Sequence, residues 1–276
     1  MSRRDGKRRL IVNADDFGLS NEVNAAVEQA HRTGILTTAS LMVNEPGCAE
    51  AVAIARANSK LGVGLHLSLA YGRASLPFEK IPGLAGADGR FRDSGVAAGF
   101  SYFFNRSVRS QLEAEISAQF DAFRRTGLVL DHVNGHLNIH LHPVILEILL
   151  RNATNWGIKT LRLTRDPFFL NASLQKGAWG YRVSHSIIYT LLSAAARPRL
   201  RRAGIRFTGF VFGLLQNGKV DEAFVLKLLP RLAPGDYELY SHPSTGQFKP
   251  ELTALISPQV GQMARAGFEL IRYQDL

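Results

Sequence analysis

Short apolar runs rich in β-forming residues recur at 10–13, 37–43, 62–67, 128–133, 160–164, 207–212, 237–240 and 268–272, with longer stretches of helical period between most of them. Parallel strands need a crossover of a dozen or more residues to return to the same end of a sheet, so this alternation predicts repeated βα units. Seven or eight units point to an α/β fold: an irregular (βα) TIM-like barrel with seven or eight mainly parallel strands. An open, doubly wound sheet has the same periodicity and remains the alternative on pattern alone. The 276 residues, 46% of them hydrophobic, suit one large core, and a barrel of roughly 250 residues is an ordinary single domain. The expected organisation is one barrel over 1–276, with a basic arm at 1–9 and an insertion near 171–204.

Local signals fill in the units. Ser20 is placed to cap a helix over 21–32, with Val23, Val27 and Ala30 on one face and Gly34 past its end. Ser107 is placed to cap a helix reaching about 126, along which Leu112, Ile116, Phe120 and Phe123 form a core-facing stripe. Residues 71–105, with Pro77, Pro82 and several glycines, read as a long loop of the kind that forms lids or binding surfaces. The lone Cys48 has no partner for a disulfide and reads as a small buried apolar residue.

The formal net charge of +10 favours an anionic partner, nucleic acid or the cytoplasmic face of a membrane, without choosing between them. Charge gathers in the arm (Arg3, Arg4, Lys7, Arg8, Arg9) and in Arg197, Arg199, Arg201, Arg202 and Arg206, which follow an apolar helix expected at 186–196. An apolar helix beside arginines resembles a membrane-surface element, and ordinary packing of that helix against the barrel is the alternative reading. The arm runs directly into Leu10-Ile11-Val12 and two aspartates, leaving no signal-peptide apolar region. The longest apolar stretch, 187–196, falls short of the ~20 residues that span a bilayer. The expected location is cytoplasmic, peripheral at most to the inner membrane face.

Four of the apolar runs lead into acid/base or metal-binding side chains: Asp15 and Asp16, His66, the segment from Asn134 through His136 to His140, and His242. Residues from the carboxyl ends of several strands converge in barrel active sites. Adjacent aspartates at a strand end call for a nearby cation, and on an extended backbone they point in different directions, so one can hold a metal while the other faces substrate. His66 alternates with Val63, Leu65, Leu67 and Leu69, which aims it at the lumen of a barrel. His132, His136, His140 and His142 fall within eleven residues, a density that packing does not explain, and neutral imidazole is a common ligand for zinc and other first-row metals. His242, held extended by Pro243, can be a ligand or a general acid. Arg162 alternates with Leu161 and Leu163, and an inward arginine needs a carboxylate, for which an aspartate of the first strand is the candidate. Asp16-Phe17-Gly18 stands without the glycine-rich loop or His-Arg-Asp segment of protein kinases. No dinucleotide fingerprint, P-loop, His-Glu-x-x-His zincin motif or Gly-x-Ser-x-Gly elbow appears, so no nucleotide cofactor and no serine triad is indicated.

Taken in order, Asn13-Ala14-Asp15-Asp16-Phe17-Gly18, Gly64-Leu65-His66-Leu67, the His136 to His140 segment and Ser241-His242-Pro243 resemble the YdjC-like carbohydrate deacetylases, and 36–43, Phe91-Arg92 and Asp131 to His136 look most like their hopanoid-biosynthesis-associated branch, HpnK. The resemblance implies a deacetylase-like barrel that hydrolyses the amide of an N-acetylated sugar with a divalent metal. It places Asp16, His66 and His136 on the metal, Asp15 as base and His242 as acid; the His-x-x-x-His pair of related polysaccharide deacetylases suggests His140 as a further ligand or substrate contact. Leu137 and Asn138 depart from the histidine-rich pattern of many relatives. Two imidazoles and a carboxylate favour zinc; magnesium, which prefers oxygen, and other divalent ions fit less well. The implied substrate is an N-acetylglucosaminyl glycolipid of hopanoid type, with contact to anionic membrane, while nucleic acid is not the expected partner. The alternatives are a deacetylase of soluble chitooligosaccharides such as diacetylchitobiose and, from another class, a non-catalytic binder of anionic membrane or nucleic acid.

Overall fold

A computed structural model describes residues 6–91, 102, 105–216 and 218–276. Arg3, Arg4 and Arg92, and residues 92–101, 103 and 104 of the predicted loop, lie outside the described residues. Seven strands, β1 (Arg8–Phe17), β2 (Thr38–Leu41), β3 (Gly62–Leu67), β4 (Leu130–Gly135), β5 (Phe210–Phe212), β6 (Gly235–Ser241) and β7 (Glu269–Leu270), form one parallel sheet in the order β4-β3-β2-β1-β6-β5, with β7 also on β1. β1 is the axis: it pairs with β6 over Arg8 to Ala14, while its other edge takes β7 at Arg9 and Leu10 and β2 from Asn13 onward. Leu10 to Phe17 are all buried, as expected of a parallel strand covered on both faces.

The curl of the sheet is completed by residues 159–165. The sequence predicts a strand at 160–164, but this segment makes only isolated bridges, Val133 with Leu161 and Thr160 with Arg206. Backbone bonds Val133 N to Thr160 O (3.1 Å), Arg162 N to Val133 O (3.0 Å), Leu161 N to Arg206 O (3.0 Å) and Val211 N to Arg165 O (3.0 Å) carry it from β4 to the vicinity of β5. The result is the expected TIM-like α/β barrel, irregular at this join.

Ten helices are described: α1 (Asn21–Thr33), α2 (Cys48–Ala57), α3 (Arg106–Arg125), α4 (Pro143–Arg151), α5 (Ala153–Trp156), α6 (Phe168–Leu174), α7 (Trp179–Arg202), α8 (Glu222–Leu228), α9 (Lys249–Ile256) and α10 (Pro258–Gly267). α1 starts as its sequence predicts, Ser20 accepting from Val23 N, and ends at Gly34, whose N–H reaches Ala30 O. α3 corrects the expected cap. Asn105 takes that place, its Oδ1 accepting from Ser107 N (3.1 Å) and from the Ser107 hydroxyl (2.7 Å), because the chain leaves its loop two residues earlier. Leu112, Ile116, Phe120 and Phe123 are buried as the stripe implied. Several strand limits also move. β4 runs two residues further than its apolar pattern, through Asn134 and Gly135, because barrel-interior partners satisfy its polar side chains; β5 and β7 are shorter than predicted.

In the predicted loop, Glu115 of α3 accepts from Ser75 N (2.8 Å) and Leu76 N (2.9 Å), which pins residues 71–91 to the barrel. The apolar helix predicted at 186–196 is the middle of the longer α7. Along it Trp179, Val183, Ile187 and Leu191, four residues apart, stand 41–66% exposed with Ile188 beside them, and Phe169 of α6 is 88% exposed. Among the described residues no helix is long and apolar enough to cross a membrane.

Candidate active site

β1 delivers two aspartates to the carboxyl end of the sheet and its irregular register with β2, between Ala14 and Phe17, parts their directions. Asp16 adopts φ +63°, the left-handed region that a non-glycine residue occupies only when its surroundings hold it there. In that pose its Oδ1 lies 3.1 Å from His66 Nε2 and 3.0 Å from His136 Nδ1. Asp16, His66 and His136 each offer one donor atom, all within 4.8 Å of one another. His66 comes from β3 and His136 from just beyond β4; the turn after it holds Leu137 and Asn138 at φ +53° and +54°.

The donor set fits a zinc-like cation. Two imidazole nitrogens and a carboxylate oxygen are a zinc donor set that leaves a position open, and tetrahedral ligands at ~2.1 Å stand about 3.4 Å apart, close to the separations here. The surroundings of His66 sharpen the argument. Its Nδ1 is 2.7 Å from Asn134 Oδ1, and Asn134 cannot be turned round because its Nδ2 donates to Ser40 Oγ (2.8 Å) and Asp15 Oδ1 (3.2 Å). The Nδ1 proton is therefore fixed, and Nε2 faces Asp16 Oδ1 as one lone pair facing another unless a proton or a cation lies between. Burial opposes charge on Asp16 and on His136, but each outweighs that penalty for the other: the Asp16 carboxyl is held well below its usual range and the His136 ring is raised above its own.

Asp15 belongs to a second, neighbouring network. Burial alone would raise its pKa, yet the Arg162 guanidinium holds it well below the carboxylate range, with His66 and His242 adding to the effect. Arg162, fully buried, donates Nη1 to Asp15 Oδ2 (2.7 Å), Nη2 to Asp15 Oδ1 (2.9 Å) and both Nε (2.9 Å) and Nη2 (2.6 Å) to Glu238 Oε1. The carboxylate partner expected for an inward arginine is thus Asp15, with Glu238 beside it. Asp15 Oδ1 also accepts from Asn13 (2.8 Å) and Asn134 (3.2 Å), so among the described residues Oδ1 takes three donors and Oδ2 one. Arg162 also lies over the Tyr240 ring, 4.2 Å from its centroid.

His242 leaves the end of β6 with 30% side-chain exposure, edge-on to Tyr240 at 5.7 Å. Glu251 of α9 accepts from its backbone N–H (2.5 Å) and stands 3.9 Å from its Nδ1. His140 is used differently. Its Nε2 is 2.9 Å from the Arg162 carbonyl oxygen, burial pushes its pKa down to about 3, so the ring is neutral, and the group of three donors does not include it. His132, also in the dense histidine segment, is engaged by Asp131 Oδ2 and Ser40 Oγ (2.9 Å each) and stacks on Tyr273.

Glu238, Asn13, Asn134, Ser40 and Glu251 were missed as site residues by sequence reasoning. Glu238 carried a usable signal, a lone acid inside an apolar strand that must find a cation. Glu251 carried none, since an acid in an amphipathic helix reads as solvent-facing.

The fold and this arrangement define a TIM-like α/β protein with a carboxylate–imidazole centre at the carboxyl ends of its strands. The YdjC-like protein family matches residues 9–266, and the chain belongs to that family. A carbohydrate deacetylase of Geobacillus stearothermophilus is 29% identical over 283 residues, covering 97% of this chain and 98% of its own length. A carbohydrate deacetylase of Brevibacillus brevis is 41% identical over 150 residues, which span only 54% of this chain and 57% of that protein. Among solved structures, a protein of Enterococcus faecalis V583 named for cellobiose-phosphate cleavage superposes with a TM-score of 0.74 at 23% identity, over 98% of both chains, and this likeness supports the fold.

Proposed function

We propose that this chain is a metal-dependent carbohydrate deacetylase that hydrolyses the acetamide of an N-acetylglucosaminyl glycolipid of hopanoid type. The observation that carries the reading is the adjacency of a zinc-type donor set, Asp16, His66 and His136, to an ionised aspartate, Asp15, with one under-used oxygen. Family membership and the carbohydrate deacetylases it resembles support the reaction class.

Asp16, His66 and His136 would hold a zinc ion, which would supply Lewis-acid polarisation of an amide carbonyl and would lower the pKa of water. Asp15 Oδ2, with room for one more hydrogen bond, takes the proton of the attacking water; Oδ1 is held by Asn13, Asn134 and Arg162, which fix the plane of the carboxylate. Arg162 keeps Asp15 ionised, and Glu238 balances part of the arginine's charge. That balance matters because an over-stabilised carboxylate is a poor base. His242, partly exposed at the rim, hands a proton to the departing amine, which cannot leave as an anion. Replacing Asp15 by Asn is expected to lower turnover by several orders of magnitude while zinc content stays near wild type.

The glycolipid half of the reading is supported by the exposed face of α7, where Trp179, Val183, Ile187 and Leu191 precede Arg197, Arg199, Arg201 and Arg202 on one helix. That face and its arginines suit contact with an anionic membrane in which the substrate's tail is dissolved. The helix also reaches the site, since Tyr189 Oη donates to Leu137 O (2.6 Å) in the turn after His136. The test is acetate release by zinc-loaded protein from an N-acetylglucosaminyl hopanoid and, in parallel, from diacetylchitobiose, each with a chelator control. Chelator-sensitive release from the glycolipid alone supports the full proposal. Release from the soluble sugar alone keeps the chemistry and overturns the substrate; silence on both overturns the deacetylase reading.

A further inference from the structure

A cavity of about 130 Å³ opens beside the amino-terminal end of α7, between the connection from α6 and the turn after β5. Lys176, Arg182 and Lys219 line it together with Gln175 and Gln216. Arg182 is the unusual member. It is 1% exposed; its Nη1 donates to the Gln175 carbonyl, whereas its Nε and Nη2 have no hydrogen-bond partner. Its guanidinium also lies 5.1 Å from the Trp179 ring centroid.

A buried guanidinium with unused N–H groups carries a desolvation cost that ordinary folding does not leave uncompensated. The nearby carboxylate of Asp166 attracts the guanidinium across space but takes neither of its free N–H groups. Asp166 accepts from Leu215 N (3.1 Å) and from Asn171, and no ion pair joins it to Arg182 among the described residues. The helix terminus adds to the same field. Ala178 occupies the cap position and makes no side-chain cap, and no acidic residue stands in the first turn of α7, so its free N–H groups and dipole are not offset locally.

We propose that this cavity binds a phosphate-type oxyanion, gripped by the Nε and Nη2 of Arg182 and closed over by Lys176 and Lys219. Two adjacent guanidinium N–H groups match two oxygens of a tetrahedral anion, and flanking lysines act as point charges that need no fixed geometry. The site is separate from the metal centre, and its existence does not depend on the deacetylase reading. The same chemistry is offered by a soluble phosphate and by the phosphate of an anionic lipid headgroup. The neighbouring exposed face of α7 makes the second source accessible.

The test titrates inorganic phosphate by calorimetry into zinc-loaded wild type, Arg182→Gln and the double variant Lys176→Glu/Lys219→Glu, and into Asp16→Asn without added zinc. Wild type and Asp16→Asn are expected to bind phosphate alike, which separates this site from the metal. The lysine double variant, altered only at exposed positions, is expected to weaken binding by about tenfold or more, and Arg182→Gln to abolish it. If Arg182→Gln fails to fold, the lysine variant decides. Equal affinity in the lysine variant, loss of binding in Asp16→Asn, or no binding by wild type overturns the proposal. Sedimentation with phosphatidylcholine vesicles, with or without phosphatidic acid, then assigns the source. Phosphatidic-acid-dependent binding that inorganic phosphate competes away identifies a headgroup, and phosphate binding without vesicle binding identifies a soluble phosphate.

Discussion

Replacing Arg162 by Met keeps a long apolar stem in the barrel and removes the guanidinium that pairs with two buried carboxylates, Asp15 and Glu238. Removing one partner of a buried pair costs about 3–5 kcal/mol, because the other charge is left unpaired. Both carboxylates keep some support: Asn13 and Asn134 still donate to Asp15 Oδ1, and the Tyr273 hydroxyl still donates to Glu238. Counting one pair in full and the second at about half gives a loss of roughly 4.5–7.5 kcal/mol, large beside the ~5–15 kcal/mol that holds a typical domain. Urea unfolding followed by tryptophan fluorescence measures it, and the pH dependence checks the cause. In the wild type the folded pKa of Asp15 lies below its unfolded value near ~3.9, so its contribution is complete above that value and is lost as pH falls through the folded one. Without Arg162, burial raises the Asp15 pKa above the unfolded value. The sign reverses, and the variant gains stability relative to wild type as pH falls from 7 toward 4. Adding Glu238→Gln to Arg162→Met should recover ~1–3 kcal/mol by removing one stranded charge. A loss under ~1 kcal/mol with an unchanged pH slope would refute the reasoning that these charges are buried and mutually dependent.

Asn134→Ala removes the acceptor that fixes the His66 tautomer, and zinc affinity measured by chelator competition should fall by roughly 10–100-fold; an unchanged affinity removes Asn134 from the support of the centre. Asp166, whose pKa burial pushes up to about 7, binds a proton in the folded state where the unfolded chain has lost it, so stability should fall as pH rises from 4 to 7, at up to about 1.4 kcal/mol per pH unit. In Asp166→Asn that component of the slope should vanish, and an identical slope contradicts the assignment. Ile187→Glu and Leu191→Glu alter exposed positions, so stability should change by less than about 0.5 kcal/mol while binding to anionic vesicles drops. Undiminished vesicle binding would detach α7 from the membrane proposal.

Much of the barrel could be read from the chain because strand and helix periods alternate cleanly, and Asp15, Asp16, His66 and His136 announced themselves as polar ends of apolar runs. The pairing of Arg162 with Asp15 was also legible, since an arginine alternating with leucines requires an acid and few were placed to meet it. What escaped depends on register. Asn134 matters because it faces Asp15, Ser40 and His66 at once, from three other strands, and no local pattern encodes that meeting. The broken strand at 160–164 escaped for a related reason: its composition suits β structure, but its hydrogen bonds go partly to β4 and partly to residues 206 and 211, so neither neighbour forms a continuous ladder. The helix cap at Asn105 was lost to Ser107, two residues with the same capping chemistry two positions apart.

The left-handed backbone of Asp16 decides which substitutions ask a clean question there. Asparagine visits φ near +60° more readily than most residues, so Asp16→Asn exchanges a charge for an amide while leaving the peptide at ease. Alanine has no such tolerance, and Asp16→Ala would carry a conformational debt of about 1 kcal/mol on top of the lost donor. Glycine relaxes the chain and deletes the donor together. A routine alanine scan would therefore blend backbone discomfort with lost chemistry at this position, and only the amide replacement isolates the chemistry.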